Sequence, residues 1–325
     1  MLPFLPNLKV LIGDFMSKRI LLSLGGNALG TTFDELIETV GIIAEPVAGL
    51  IEDGYEIVIC HGNGPQVGML KTSMDFGTKE SKTDIMPLSE CVAMSQSYIG
   101  YHLQNAIQNQ LNKKGIKKEV VTVISRVLVD KNDERFNRPT KPVGAFFTKE
   151  EASEREKLGK VMVEDAGRGY REVVASPLPK AILEKKSVED LINKGAVVIA
   201  GGGGGIPVYE ENGWIRAIDA VIDKDWVSVM LANDVNCDSL VILTGVEKVA
   251  IHFNKPDQKW LDKLSVSEAN EYIKDGEFPE GSMLPKIQAA IKFTTAKPDN
   301  KTLITSLDKL REGLANKTGT WLVND

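Results

Sequence analysis

"RILLSLGGNALG" (Arg19–Gly30) is the stretch whose reading decides the fold. Ile20 to Leu24 form an apolar run that stops abruptly at Gly25-Gly26-Asn27. A continuous apolar run with little alternation reads as a strand buried on both faces, the kind that parallel sheets use. Two more runs end in the same way. "YEIVICHGNGP" (55–65) passes into Gly62-Asn63-Gly64, and "GAVVIAGGGGGIP" (195–207) into Gly201 to Gly205. In a parallel sheet the carboxyl ends of the strands share one edge, where ligands bind. Glycine lets main-chain N–H groups approach an anion closely, and a following helix adds partial positive charge at its N-terminus. Three such loops at one edge predict an anion site; any one alone would read as a tight strand-to-helix turn.

Working outward, strands alternate with helical patterns. A helix is expected from about Phe33 to Glu52 and a long one from Pro87 to Asn112. "KKEVVTVISRVLV" (117–129) reads as a third strand, "SLVILTGVEKV" (239–249) as a fifth and "KTLITS" (301–306) as a sixth. This alternation predicts an α/β fold: an open, mostly parallel sheet with helices on both faces. Two stretches break it. Residues 126–171 are charged and turn-rich, and read as a lid or small subdomain in which Phe146, Phe147 and Tyr170 bury surface. "PVYEENGWIRAID" (207–219), centred on Asn212-Gly213, reads as a hairpin.

Composition narrows the function classes. The 325 residues are 42% hydrophobic and 26% charged, as in an ordinary soluble globular protein. The net charge of -6 gives no basic footprint for nucleic acid. No apolar run approaches the ~20 residues of a membrane span. The start "MLPFLPNLKVLIGDF" holds two prolines and lacks a basic opening, which makes it a poor signal peptide; residues 1–15 read as an extension outside the core fold. Cys60, Cys91 and Cys237 have no metal-ligand spacing and read as reduced, buried thiols, in keeping with a cytoplasmic setting. His61, His102 and His252 are too scattered for a zinc site, and no metal ligands are assigned. The chain has no GxxxxGK[ST] loop. The loop at Gly201–Gly205 runs into a hairpin rather than a helix, which counts against a nicotinamide-dependent oxidoreductase.

Three lysines stand out. "AVIDKDWVSVMLAND" (220–234) puts Lys224 between Asp223 and Asp225 at a helix start. Acidic residues suit a first turn, but a cation there is mildly unfavourable unless an anion joins it. "PEGSMLPKIQAAIKF" (279–293) places Lys286 in another helix start, and "RPTKPVG" (138–144) holds Lys141 between two prolines on the proposed lid.

With "SLGGNAL" (23–29), "HGNGPQVG" (61–68), "PTKPVG" (139–144), "VVASPLP" (173–179), "GGGGIPV" (202–208), "AVIDKD" (220–225), "ILTGVEKV" (242–249), "KPDQKWLD" (255–262), "GSMLPKI" (281–287) and "TGT" (318–320), the chain resembles carbamate kinase, of the amino-acid-kinase superfamily. The resemblance runs in order from Lys18 to Trp321. It implies a three-layer αβα sandwich around a mainly parallel sheet of about eight strands, with a protruding lid subdomain over about 126–171. It implies an N-terminal half (16–195) holding carbamate or carbamoyl phosphate, a C-terminal half (196–325) holding ATP or ADP, and a homodimer. In many organisms the family makes ATP at the end of arginine breakdown. Many relatives carry lysine at the position of Ser23; here, as in carbamate kinases, Lys141 looks like its substitute.

For such a reaction Lys141, Lys224 and Lys286 are the expected catalytic cations, with Asp225 orienting them. The amides of Gly25, Gly26 and Asn27 would face phosphoryl oxygens, and Gly62, Asn63 and Gly64 would hold the carbamate end. Nucleotide contacts are expected from Asp223, Lys224, Thr244, Gly245, Val246, Met283 and Lys286, with Mg²⁺ carried mainly by the nucleotide phosphates. His61 is left as structural. Arg168 and Arg171 are read as salt-bridge partners on the lid. Another acid kinase of the superfamily, or a catalytically silent nucleotide-binding regulator, is the rival reading.

Overall fold

The computed structural model describes residues 18–25, 29–81, 84–165, 167–280 and 282–325. Residues 1–15, Gly26 and Asn27 lie outside the described residues. The central sheet has eight strands. From edge to edge they are Lys263–Ser265, Thr320–Val323, Lys301–Ser306, Ser239–Thr244, Arg19–Leu24, Glu56–His61, Val197–Ile199 and Val120–Thr122. All neighbours pair in parallel except Lys301–Ser306 with Thr320–Val323.

The opening strand lies at the middle of this sheet and is buried on both faces. Ile20, Leu22 and Leu24 pack on one side with the helices Phe33–Glu52 and Leu88–Lys113, through Leu36, Val40, Ile43, Ile99 and Leu103. Leu21 packs on the other side with the helices Lys185–Asn193, Lys224–Asp234 and Met283–Thr294, through Val188, Val227, Leu231, Ile287 and Phe293. Each of these side chains contributes ~1.5–3 kcal/mol when fully buried, which is why the run shows no polar alternation. Helix Phe33–Glu52 starts where expected because Thr32 and Glu35 form a reciprocal capping box.

The expected third strand is in fact two. Val120–Thr122 ends the central sheet beside Val197–Ile199, whereas Arg126–Val129 joins a second sheet ordered Trp214–Ala217, Ile206–Glu211, Arg126–Val129, Pro179–Ile182. The break is at Ser125. Its N–H donates to Gln96 Oε1 (2.8 Å) and its carbonyl accepts from Gln96 Nε2 (3.0 Å), so a helix side chain takes both main-chain groups there. The hairpin is as expected: Asn212 (φ 52°) and Gly213 (φ 77°) both adopt the left-handed conformation that a type I′ turn needs.

The stretch 126–171 divides accordingly. Its first strand stays with the second sheet, and the protruding unit is the antiparallel sheet of Lys141–Phe147, Tyr170–Val174 and Met162–Glu164, with helix Lys149–Lys157. Phe147 stacks under Arg155, 3.9 Å from ring centre to guanidinium carbon. Phe146, expected to be buried, remains 43% exposed; Arg168 and Arg171 cover its ring instead. The unit packs on the body through Val143 and Val174, against Val67, Leu88 and Val92, and at one especially tight crossing. A Cβ on Gly68, in helix Gly64–Ser81, would lie 1.9 Å from the Gly144 Cα, so only glycine lets the strand carrying Lys141 come this close. Among the described residues no helix is long and apolar enough to cross a membrane.

Candidate active site

The site is assembled at the carboxyl edge of the central sheet. Leu24 and His61 end paired strands, and Leu24 also pairs with Leu243, one residue before Thr244. Helix Lys224–Asp234 begins at this edge, with Asp223 as its N-cap. Lys224, in its first turn, is buried and donates to Ser23 Oγ (2.8 Å) and to Asp225 Oδ1 (2.5 Å). Lys286 Nζ donates to the other oxygen, Asp225 Oδ2 (3.1 Å). Lys141 Nζ donates to Asp223 Oδ2 (2.6 Å), while Asp223 Oδ1 takes the Asp225 N–H (2.8 Å). The three cations therefore come from the protruding unit and two helix starts, and meet at one helix N-terminus.

Burial works against both charges of the central pair, and the pairing more than offsets it. Burial alone would raise the Asp225 pKa, but the Lys224 and Lys286 ammonium groups hold it well below the carboxylate range. Burial alone would lower that of Lys224, but Asp225 raises it. Both stay charged across the physiological range. Five charged groups, three positive and two negative, leave a net positive pole at a helix end that already favours anions.

The glycine loops fall into two kinds. Gly25 is half-buried at the end of the central strand, and Gly62 donates its N–H to the Leu24 carbonyl (2.9 Å), which ties the first two loops together. Gly64 opens helix Gly64–Ser81, and the buried Asn63 donates through Nδ2 to Ser95 Oγ (2.8 Å). The five-glycine loop is different from the anion cradle expected of it. Gly201 to Gly205 are buried, and their missing side chains make room for neighbours. A Cβ on Gly203 would lie 2.2 Å from Asn63 Nδ2, and one on Gly204 would lie 2.1 Å from the Ile222 carbonyl oxygen. This loop is a spacer that lets Asn63 and the Ile222 carbonyl, in the segment leading to Asp223, pack close against it.

His61 is buried, and its Nδ1 lies 2.9 Å from the Gly62 carbonyl. Burial, aided by the Lys224 charge, pushes its pKa down to about 4, so the ring is neutral. Thr244 ends the strand next to the central one and Gly245 and Val246 follow it, all partly or fully exposed, and Met283 opens the helix that carries Lys286. Arg168 pairs with Asp165 (2.8 Å) near the surface; Arg171 reaches Asp165 at 3.5 Å and donates to the Gly144 carbonyl (3.1 Å).

Residues 18–304 match the model of the amino acid kinase family. The chain belongs to that family. Among its curated relatives, the carbamate kinase-like protein YqeA of Escherichia coli K12 is 50% identical over 306 residues, covering 94% of this chain and 99% of the relative. A carbamate kinase of Staphylococcus haemolyticus is 48% identical over the same coverage. Among solved structures, the carbamate kinase of Giardia lamblia bound to AMP-PNP is 40% identical, with a TM-score of 0.87, covering 95% of this chain and 99% of that one. The same enzyme bound to citric acid gives 0.89.

Within the family frame, Ser95 and Gln66 escaped the sequence reading, and Ser23 and Asp223 have partners it did not foresee. Ser23 sits beneath the cluster, and its hydroxyl accepts from both Lys224 Nζ and the Ser228 hydroxyl (2.9 Å). Asp223 is the mate of Lys141 as well as a helix cap. Ser95 holds Asn63, and Gln66 spans the first two loops through a bond from Nε2 to the Gly30 carbonyl (2.9 Å). Only "HGNGPQVG" carried a signal for Gln66; Ser95 is a polar residue inside helix Leu88–Lys113, where spacing marks nothing.

Proposed function

We propose that the chain catalyses reversible phosphoryl transfer between ATP and carbamate, giving ADP and carbamoyl phosphate. The observation that carries this reading is the convergence of Lys141, Lys224 and Lys286 on the N-terminus of helix Lys224–Asp234. The names of the relatives support the same substrate.

Carbamate is already an anion, so no base need remove a proton from it. The difficulty is to bring one anion onto another, and catalysis is then positioning and charge neutralisation. Lys224 and Lys286, held on opposite oxygens of Asp225, and Lys141, held by Asp223, surround the phosphoryl group in transfer. The amide of Gly25 faces its oxygens. Gly62, Asn63 and Gly64 hold the carbamate end, and Asp223, Thr244, Gly245, Val246 and Met283 the nucleotide. His61 is left out of the chemistry: it is buried, and with its pKa pushed down to about 4 the ring is too weak a base to take up a proton near neutrality. Both carboxylates of the cluster are engaged by lysines, which fits Mg²⁺ carried on the nucleotide phosphates and water rather than on the protein. Bound there, it would neutralise charge between the β- and γ-phosphates. The family resemblance extends the proposal to a cytoplasmic homodimer that makes ATP at the end of arginine breakdown.

The test is ATP formation from ADP and carbamoyl phosphate by the purified chain, with and without Mg²⁺. Magnesium-dependent ATP formation is expected. Turnover of acetylglutamate, aspartate, glutamate or UMP instead would assign another acid kinase of the superfamily, and nucleotide binding without turnover on any of them a silent regulator.

A further inference from the structure

Two side-chain amides on the substrate loop have their donor ends tied to the protein. Asn63 Nδ2 donates to Ser95 Oγ (2.8 Å), and Ser95 in turn donates to the Val92 carbonyl (2.6 Å). Gln66 Nε2 donates to the Gly30 carbonyl (2.9 Å). These bonds decide which way each amide faces, because a flipped Gln66 would set its oxygen against the Gly30 oxygen. The carbonyl ends are thereby turned toward other partners. Gln66 is only 4% exposed, yet its Oε1 is buried and accepts no hydrogen bond. Such an atom is uncommon in a native structure and asks for a reason. Gly30 closes the loop that follows the central strand and Gln66 begins the helix after Asn63, so the free oxygen lies where the two loops meet.

We propose that Gln66 Oε1, together with Asn63 Oδ1, accepts the two N–H groups of the substrate's amino end and so selects a carbamoyl over an acetyl group. The inference rests on the carbamate reading above. Its logic is one of matching: main-chain amides and lysines serve the oxygens of the acid, and two side-chain carbonyls serve its –NH₂. Acetyl phosphate has nearly the same shape but carries a methyl group, which offers these acceptors nothing. A site that holds fixed polar groups for an N–H discriminates against the analogue that lacks it.

The experiment compares kcat/KM for carbamoyl phosphate and for acetyl phosphate, each with ADP and Mg²⁺. Gln66→Met keeps the volume and removes the acceptor, together with the Nε2 bond to the Gly30 carbonyl. It should lower the carbamoyl-to-acetyl ratio about tenfold, the scale of one hydrogen bond, by slowing carbamoyl phosphate while acetyl phosphate holds. Should that variant fail to fold, Ser95→Ala carries the test, since it frees the Asn63 amide to turn and should lower the same ratio. An unchanged ratio, or equal loss on both substrates, overturns the assignment and leaves Gln66 structural. If the unmodified chain makes no ATP from carbamoyl phosphate, the carbamate reading itself falls and takes this inference with it.

Discussion

Asp225→Asn separates the charge of the central carboxylate from its shape. The amide keeps the volume and the main-chain bond to Asp223 Oδ1. It removes one negative charge lying 2.5 Å from Lys224 Nζ and 3.1 Å from Lys286 Nζ. At an effective dielectric constant of ~20, unit charges at those separations attract by about 7 and about 5 kcal/mol. Desolvation offsets much of that sum, and removing one partner of a buried pair costs on the order of 3–5 kcal/mol net. That loss is expected in urea unfolding at pH 7, alongside a roughly hundredfold fall in ATP formation from the loss of oriented cations. The stability loss has a pH signature. Asp225 titrates below the ordinary range in the folded chain, so its contribution is complete above the unfolded pKa of ~3.9 and is lost as pH falls through the folded value. Lys224 is raised, so its contribution is complete below ~10.4 and is lost as pH rises through the folded value. The gap between wild type and variant should therefore be widest near neutrality and narrow below pH ~4 and above pH ~10.5. A variant within about 1 kcal/mol of wild type at pH 7, or a gap that does not change with pH, would refute the account of this cluster.

Other outcomes test neighbouring parts. Lys141→Met should cost less than about 1 kcal/mol of stability, because its pair with Asp223 is partly exposed, yet lower ATP formation roughly hundredfold; equal effects on both would deny it a place in the chemistry. Gly68→Ala should destabilise by about 1–3 kcal/mol and slow turnover, since the new methyl would displace the strand bearing Lys141; urea unfolding and initial rates report both. His61→Gln should flatten the acid limb of stability: the buried ring, at about 4 against an ordinary 6.5, makes wild type lose up to about 3 kcal/mol as pH falls from 6.5 to 4. Cys60, Cys91 and Cys237 are all buried with pKa values pushed up by burial, so an aromatic disulfide reagent should label the native chain far more slowly than the urea-unfolded one.

What the sequence made legible follows from burial. The run Ile20–Leu24 and its counterparts at 56–61 and 239–244 read as strands because both sheet faces are covered, and the glycine endings of the first two mark the carboxyl edge. The helix starts at Lys224 and Lys286 were legible for a related reason, since acidic residues and proline prefer first turns. What could not be read is which side chains pair across that edge. Lys141 meets Asp223 over 82 residues, and Lys224 meets Ser23 over 201. Those distances are set by strand order and by the Gly68–Gly144 crossing, and neither leaves a period in the sequence. The five-glycine loop failed for the opposite reason. Glycine signals a close approach without saying what approaches, and here Asn63 and the Ile222 carbonyl come close.

The two kinds of glycine loop are parts of one device. A buried ammonium cluster needs its counter-charges fixed before an anionic ligand arrives, or like charges would push the helix starts apart. Asp223 and Asp225 do this, while the five-glycine loop lets the Asn63 side chain and the Ile222 carbonyl pack close against it. The pole is left with one unbalanced positive charge among five groups, enough to draw in an anion without depending on that anion for stability.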